Sequence, residues 1–99
     1  MKDIRIPLKR KWYEQIVAGT KREEYRLYND YWRKRLEGRT YRNIIFTLGY
    51  PKADDESRHH VVPWRGYVLK TITSEEWNNE PKSVFAILTQ PKQRDMFPI

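Results

Sequence analysis

Residues 4–27 read IRIPLKRKWYEQIVAGTKREEYRL, and this stretch decides the fold because its hydrophobic period changes twice. Alternate residues over 4–8 are apolar, which predicts a short half-buried strand whose proline favours an edge or terminal position. Apolar residues then recur at helical spacing, so we predict an amphipathic helix from Arg10 to Ala18, ended by a left-handed Gly19. Alternation returns over residues 23–28 and predicts a second strand.

The next segments predict a second helix and a buried strand. We expect the helix over Tyr31–Glu37, with Asp30 as its N-cap and Gly38 as its stop. The segment Asn43–Tyr50 is dense in Ile, Phe and Leu, a composition typical of a buried central strand.

The second half of the chain alternates exposed and extended segments. Residues 51–60 are polar and acidic and predict an exposed loop. Residues 61–73 predict a curved extended stretch, because the proline and the glycine within it are typical of a bulge or bend. A helical turn is expected over residues 74–77 and a last strand over residues 83–89. This order of elements predicts an α+β fold with a small curved mixed sheet and two early helices.

Length and composition limit the classes of protein that fit. The chain has 99 residues, so residues 1–99 are expected to form one domain. It is 14% aromatic, which argues against disorder, and it has no cysteine, which excludes disulfides, thiolate metal sites and cysteine nucleophiles. The start has no apolar signal-like region, and no apolar run approaches the roughly 20 residues of a membrane span. We therefore expect a cytoplasmic protein with no membrane partner, and a monomer as the default.

The net charge of +7 is concentrated in the first half of the chain. Residues 1–50 contain thirteen basic and six acidic side chains, whereas residues 51–99 contain seven of each. A concentrated positive field attracts polyanions, so nucleic acid is the first partner class to consider. A basic face that only keeps the protein soluble fits the charge equally well.

A motif of specific spacing follows the first helix. Gly19, Lys21, Glu24 and Arg26 form the pattern Gly-x-Lys-x-x-Glu-x-Arg, and Lys9 precedes the helical tryptophan. In these residues the chain resembles the ASCH domain family, a branch of the PUA-like fold, over about the first third of its length. The resemblance implies a small, partly open β-barrel with two or three short helices and a cleft lined by the motif strand. It also implies binding of RNA or modified nucleosides, near Lys9 and the three ionisable motif residues.

The ionisable motif residues suit recognition of a nucleotide. Arg26 can hold a carboxylate or phosphate by two parallel hydrogen bonds. Glu24 can accept a hydrogen bond from a base edge or position a water, and Lys21 can pair with an anion. The competing interpretation is structural, because Glu24 and Arg26 share one strand face and can neutralise each other inside the protein. We favour the ligand-facing cleft.

Hydrolysis is an alternative function for the same cleft. Some relatives resemble N4-acetylcytidine amidohydrolases or nucleases, so the alternative substrate is a modified nucleoside or RNA, with Lys21 and Glu24 as catalytic candidates. In the amidohydrolase branch a threonine, activated by the neighbouring lysine, stands at the position of Glu24. A carboxylate does not replace that hydroxyl as a nucleophile, although it can act on a bound water. The sequence therefore leaves enzymatic activity open.

Aromatic and basic residues alternate around the second predicted helix. We expect Tyr28 to stack on a base, because it has the strand parity of Glu24 and Arg26. The cations expected to contact the nucleic-acid backbone are Arg33, Lys34, Arg35, Arg39 and Arg42. A protein-interaction or regulatory module that covers an acidic partner is a third function for this basic face.

The two histidines, His59 and His60, are adjacent. Adjacent residues of extended chain point to opposite sides and have no zinc-ligand spacing, so we predict no metal site, and the sequence indicates no cofactor. We expect both histidines to be exposed loop residues, with the alternative that one reaches the cleft as a general base.

Overall fold

The computed structural model describes residues 1–90, which form an α+β fold with two α-helices and two three-stranded sheets. The strands are β1 (Ile4–Leu8), β2 (Glu23–Leu27), β3 (Asn43–Leu48), β4 (His59–Pro63), β5 (Tyr67–Ile72) and β6 (Lys82–Leu88). The helices are α1 (Arg10–Val17) and α2 (Asp30–Leu36), and short 3₁₀ turns span Glu56–Arg58 and Glu75–Trp77. The prediction of a small α+β protein is confirmed.

The first sheet has the predicted buried strand at its centre. β3 pairs in parallel with β1 and antiparallel with β4, so this sheet is mixed. Ile6 lies opposite Phe46, and Ile44 lies opposite Val62. All four side chains are buried, because alternate residues of each strand point to the same face.

The second sheet is antiparallel, with β6 between β2 and β5. The residues Val84–Ile87 have no exposed surface, so both faces of β6 are covered. The pairing of β2 with β6 places Glu24 opposite Ile87 and Arg26 opposite Phe85. A strand rich in charge is thereby held against an apolar one.

One hydrophobic core joins both sheets and both helices. It includes Ile6 of β1, Ile16 of α1, Leu36 of α2 and Phe85 of β6, each of which is fully buried. After α1 the chain reverses at Gly19, whose φ of +82° lies in the left-handed region that glycine adopts without steric strain. This reversal leads directly into β2.

The start of α2 differs from the prediction. Asn29, not Asp30, is the N-cap, and its side chain accepts a hydrogen bond from the backbone N–H of Trp32 at 3.0 Å. Asp30 lies in the first turn, and the helix ends at Leu36. Both residues are good N-caps, so composition alone did not separate them.

The predicted extended stretch over residues 61–73 is divided between the two sheets. β4 ends at Pro63 in the first sheet, and β5 begins at Tyr67 in the second. Four strands rather than three therefore follow α2. Strand pairing within residues 1–90 forms two separate sheets, and the partly open PUA-like barrel stays a prediction.

The two histidines lie in a strand, so the prediction of exposed loop positions was wrong. His59 and His60 open β4 and are half-buried. Their backbone pairs with β3, which places His60 opposite Phe46. The long polar loop ends earlier than its composition indicated.

Candidate functional site

The ionisable motif residues lie in strand β2 and in the segment that joins α1 to it, which contains Lys21. The backbone of Lys21 is held on both sides, because its N–H donates to the carbonyl of Gln15 (3.1 Å) and its own carbonyl accepts from the Thr89 hydroxyl (2.7 Å). Glu24 and Arg26 follow at alternate positions of β2, so their side chains leave the same face of the strand. The three side chains meet there.

Glu24 is the centre of this group. It is 6% exposed, and its two carboxylate oxygens contact different cations. Oε2 lies 2.9 Å from Nη2 of Arg26, and Oε1 lies 3.6 Å from Nζ of Lys21. We call these three residues the Glu24 cluster.

Burial raises the pKa of the Glu24 carboxyl above its usual range, because surroundings of low dielectric disfavour the charged form. The positive charges of Arg26 and Lys21 oppose this rise, and the carboxylate of Glu76 adds to it. A buried carboxyl whose pKa is shifted by burial and by specific charged neighbours is a recurrent feature of functional sites, and also of structural ion pairs.

Arg26 connects β2 to the end of β1. Besides contacting Glu24, its Nη2 donates to the carbonyl of Pro7 at 2.9 Å, and its guanidinium lies 5.1 Å from the centre of the Trp32 ring. Its Nε is buried and has no hydrogen-bond partner within residues 1–90. A buried donor without an acceptor costs about 1–3 kcal/mol. The described chain thus uses only part of the hydrogen-bonding capacity of this guanidinium.

Lys21 is held by aromatic rings. Its Nζ lies 5.0 Å from the centre of the Trp12 ring and 4.7 Å from the centre of the Tyr25 ring. Its side chain is 13% exposed. Cation–π contacts of this kind attract an ammonium to the faces of aromatic rings. They also hold it beside the Glu24 carboxylate.

The Glu24 cluster lines a cavity of about 580 Å³, which we call the motif cavity. Small-molecule sites occupy roughly 300–1,000 Å³, so the volume is suitable for a ligand. The charged and polar side chains of the lining include Lys9, Lys21, Glu24, Arg26, Ser74 and Glu76. The aromatic side chains of the lining are Trp12, Tyr25, Tyr50 and Trp77. Rings together with hydrogen-bond donors and acceptors fit a planar polar ligand.

The Glu24 cluster fits both the structural and the ligand-facing interpretation of the motif residues. Lys21 and Arg26 neutralise Glu24 within the protein, as the structural interpretation requires. The same side chains line the motif cavity, as the ligand-facing interpretation requires. The internal ion pairs therefore fix the orientation of side chains that also line the cavity.

Lys9, expected near the ligand, also lines the motif cavity. It precedes the first residue of α1 and is exposed. Its side chain therefore has more access to water than that of Lys21, which is 13% exposed.

Tyr28, predicted to stack on a base beside this cluster, is not among the residues that line the motif cavity. β2 ends at Leu27, and the strand parity that grouped Tyr28 with the cluster ends with it. The Tyr28 hydroxyl donates to Oε2 of Glu37 at 2.8 Å, and its ring centre lies 5.1 Å from that of Phe85. Tyr28 therefore belongs to the surface between β2 and α2.

The five cations predicted to contact a nucleic-acid backbone are all exposed, but their partners differ. Arg33 pairs with Glu37 at 2.9 Å, and Arg42 pairs with Asp3 at 3.0 Å. The remaining three have no ion pair within residues 1–90, namely Lys34, Arg35 and Arg39. Their charge is available to an anionic partner.

Sequence reasoning missed the far wall of the motif cavity. Glu76 and Trp77 lie in the 3₁₀ turn after β5, and Tyr50 follows β3. The turn itself was predicted and is confirmed, but its spacing did not indicate that it faces β2. A tryptophan in an otherwise polar turn was the available signal.

Neither histidine lines the motif cavity. Nε2 of His59 lies 3.2 Å from Nη1 of Arg5, and its Nδ1 lies 2.6 Å from the carbonyl oxygen of Asp55. Burial lowers the pKa of His60. Within the described part of the chain, no group of three or more His, Asp or Glu side chains is arranged to hold a metal ion.

Comparison with protein-family models, with curated proteins and with solved structures yields no match for this chain. The resemblance to the ASCH domain family therefore rests on the motif residues and stays a prediction. Neither α1 nor α2, the two α-helices of residues 1–90, is long and apolar enough to cross a membrane.

Proposed function

We propose that the chain binds nucleic acid, RNA in the first instance, and holds an unpaired base or nucleotide in the motif cavity. The observation that carries this proposal is the lining of one cavity by both the Glu24 cluster and four aromatic rings. An unpaired base offers a flat face for stacking and a polar edge for hydrogen bonds, so it matches both parts of the lining. The resemblance to the ASCH domain family supports the same ligand class.

The Glu24 cluster supplies partners of both signs for a base. Glu24 can accept a hydrogen bond from an amino or imino group, while Arg26 and Lys21 donate to carbonyl or ring nitrogen acceptors. Because the cluster is already paired and mostly buried, a ligand meets oriented groups and little conformational entropy is lost on binding.

The exposed cations supply the part of binding that is independent of sequence. Lys34 and Arg39 are exposed and carry no ion pair within residues 1–90, so they can contact phosphates directly. Such contacts release counterions, which makes the affinity fall as salt rises. We therefore expect two classes of binding residue, one that selects the base and one that attracts the phosphates of any sequence.

The test is a titration of the protein with the four ribonucleosides and with short single-stranded RNA, followed by backbone amide chemical shifts and by affinity. We expect the largest shifts around Lys21–Arg26 and at Trp77. Arg26→Lys keeps the charge but removes the planar guanidinium, and we expect it to weaken binding of the preferred nucleoside by more than about tenfold, the scale of a charged hydrogen bond. The matched control is Lys34→Gln, which should weaken all RNA sequences alike and reduce the salt dependence.

Two results contradict the proposal. One is the absence of shifts at the Glu24 cluster with every nucleoside and oligonucleotide. The other is an equal loss from Arg26→Lys and Lys34→Gln for all sequences, because it would leave no selective pocket. Binding that prefers an acidic protein and survives nuclease treatment would support the interaction-module alternative instead.

A second candidate function is hydrolysis of a modified nucleoside or RNA in the same cavity. The observation in its favour is a carboxyl of raised pKa 3.6 Å from an ammonium, an arrangement suited to proton transfer with a bound water. N4-acetylcytidine and labelled RNA, each incubated in EDTA, are the substrates to examine. Turnover that disappears in Lys21→Ala and in Glu24→Gln supports this function, and turnover unaffected by both changes is due to a contaminant.

A further inference from the structure

A second cavity adjoins the motif cavity. Its volume is about 360 Å³, and it shares three lining residues with its neighbour, namely Pro7, Arg26 and Tyr50. We call it the adjacent cavity. Because the shared residues form the boundary between the two hollows, one extended ligand can occupy both.

The adjacent cavity is lined by cations and aromatic rings. Three guanidinium side chains contribute to it, those of Arg5, Arg26 and Arg35. The carboxylate that lines it, Asp3, is already bound by Arg42 through two hydrogen bonds of 3.0 and 3.2 Å. The lining therefore has an excess of positive charge, which suits an anion.

Arg35 is oriented by the ring beneath it. Its guanidinium lies 3.5 Å from the centre of the Tyr31 ring, and its Nη1 donates to the Tyr31 carbonyl at 3.0 Å. Arg35 makes no ion pair within residues 1–90, and neither does Arg5, whose Nη1 contacts Nε2 of His59. A guanidinium that is stacked but not paired with a carboxylate keeps donors for a phosphate.

The rings of the adjacent cavity repeat the chemistry of the motif cavity. Tyr31, Trp32 and Tyr41 all contribute to its lining. Tyr50, which is 92% exposed, lies at the shared boundary. A second base can therefore stack beside the first along the same strand of nucleic acid.

We infer that the adjacent cavity binds the phosphate and the neighbouring nucleotide, so that the unit recognised is a dinucleotide step. This inference rests on the proposed function, because it presumes a base in the motif cavity. The linking phosphodiester lies at the boundary that Arg26 and Tyr50 form, where Arg5 and Arg35 also contact it, and the second base stacks on the rings of the adjacent cavity. Arg35 is thus assigned a different role from the other cations of α2.

The test compares the affinities of ribonucleosides, of their 5′- and 3′-monophosphates and of the corresponding dinucleoside monophosphates at one salt concentration. We expect the dinucleoside monophosphate to bind at least tenfold more tightly than the nucleoside. Arg35→Gln should remove most of this gain and change nucleoside affinity less than twofold. Lys52→Gln is the matched control, because Lys52 is also exposed, lines neither cavity and is not one of the cations assigned to phosphate contacts, and it should retain the gain.

The outcomes separate the inference from the proposed function. If nucleosides bind at the Glu24 cluster but the dinucleoside monophosphates bind no more tightly, the inference is overturned and the proposed function stands. Equal effects of Arg35→Gln and Lys52→Gln also overturn the inference, since they reduce Arg35 to a general electrostatic contact. If no nucleoside or dinucleoside monophosphate binds, both fail. Both substitutions are at exposed positions, and an unchanged thermal unfolding midpoint establishes that the variants fold.

Discussion

Two arginine–glutamate pairs in this protein have the same separation and opposite electrostatics. Arg26 and Glu24 at the motif cavity approach to 2.9 Å, and so do Arg33 of α2 and Glu37, the residue that follows this helix. The side chain of Glu24 is 8% exposed, whereas that of Glu37 is 38% exposed. Burial raises the pKa of Glu24, while hydrogen bonds from Tyr28 and Arg33 lower the pKa of Glu37.

The difference teaches that access to water, and not the distance between the charges, decides whether the pKa of the paired carboxyl is raised or lowered. At the surface, water already solvates both partners, so the pair adds little to stability and is screened by salt. Inside, removal of water from the carboxylate costs more than two nearby cations return, as the raised pKa of Glu24 indicates. Under the proposed function, this buried pair would exchange one of its partners for a ligand.

The largest expected contrast is in stability. Arg26→Met leaves the buried Glu24 carboxylate with only the more distant Lys21, so we expect a loss of about 3 kcal/mol in the free energy of unfolding, the scale for breaking a buried pair. Arg33→Met removes the exposed pair and should leave the unfolding midpoint nearly unchanged. Urea denaturation at neutral pH measures both. Equal stability of the two variants would contradict the distinction between the buried and the exposed ion pair.

A double variant tests the cause of the stability loss expected for Arg26→Met. Glu24→Gln combined with Arg26→Met removes the buried carboxylate together with its nearer partner, and leaves Lys21 in contact with the rings of Trp12 and Tyr25. We expect the double variant to be more stable than Arg26→Met alone, because the penalty arises from the unpaired carboxylate. A double variant that is less stable by the sum of the single effects would contradict that cause.

The pH dependence of stability should have opposite sign for the two carboxyls. The pKa of Glu24 is raised on folding, so its contribution to stability is present below its ordinary value near 4.5 and is lost as pH rises through the folded pKa. The pKa of Glu37 is lowered, so its contribution is present above that value and is lost as pH falls through the folded pKa. Glu24→Gln and Glu37→Gln each remove one of these dependences. The measurement is the free energy of unfolding from about pH 3 to pH 7. As pH rises, the wild type should lose stability relative to Glu24→Gln and should gain stability relative to Glu37→Gln.

Direct titration provides a smaller but more specific test. Carboxyl carbon chemical shifts followed by NMR should place the midpoint of Glu24 above, and that of Glu37 below, the ordinary pKa of a glutamate. A Glu24 midpoint below the ordinary value would mean that Arg26 and Lys21 outweigh burial. In that case the cluster would be a stabilising internal pair and a weaker candidate for ligand exchange.

The smallest effect concerns salt. Raising the concentration of NaCl from about 0.05 M to about 1 M shortens the screening length from about 14 Å to about 3 Å. We expect the titration midpoint of Glu37 to move back toward its ordinary value, because its pair is exposed to the ions. The midpoint of Glu24 should change less, since ions reach its partners poorly. Equal shifts for both carboxyls would remove the distinction between the two regions.

Much of the fold could be predicted because the relevant signals are local. The alternation over β1, the helical spacing over α1 and the stop at Gly19 each depend on neighbours within a few residues. The same holds for the density of apolar residues in β3 and β6. Prediction failed where two residues compete for one role, as Asn29 and Asp30 do for the N-cap. It also failed where a proline and a glycine marked a passage between sheets that resembles a bend within one strand.

For the candidate site, too, prediction succeeded where the signal is local and failed where it is not. The spacing of Glu24 and Arg26 predicted that they share a face, because alternate residues of a strand do so, and the structure confirms that they meet. Lys21 lies before β2, so strand parity did not predict its contact with Glu24. The prediction for Tyr28 depended on a strand that ends one residue too early. The only local signal for the opposite wall was a tryptophan, Trp77, in an otherwise polar turn, and nothing local indicated the cavity beside Arg35.

The amino-acid sequence by itself therefore determined the elements, the basic bias of the first half and the order of charges along β2. Only the tertiary structure decided which of those charges lose their water, since burial depends on segments distant in sequence that fold over β2. That removal of water makes Glu24 and Glu37 differ at equal distance from a guanidinium. It is a property of the assembled surroundings, and no spacing rule along the chain contains it.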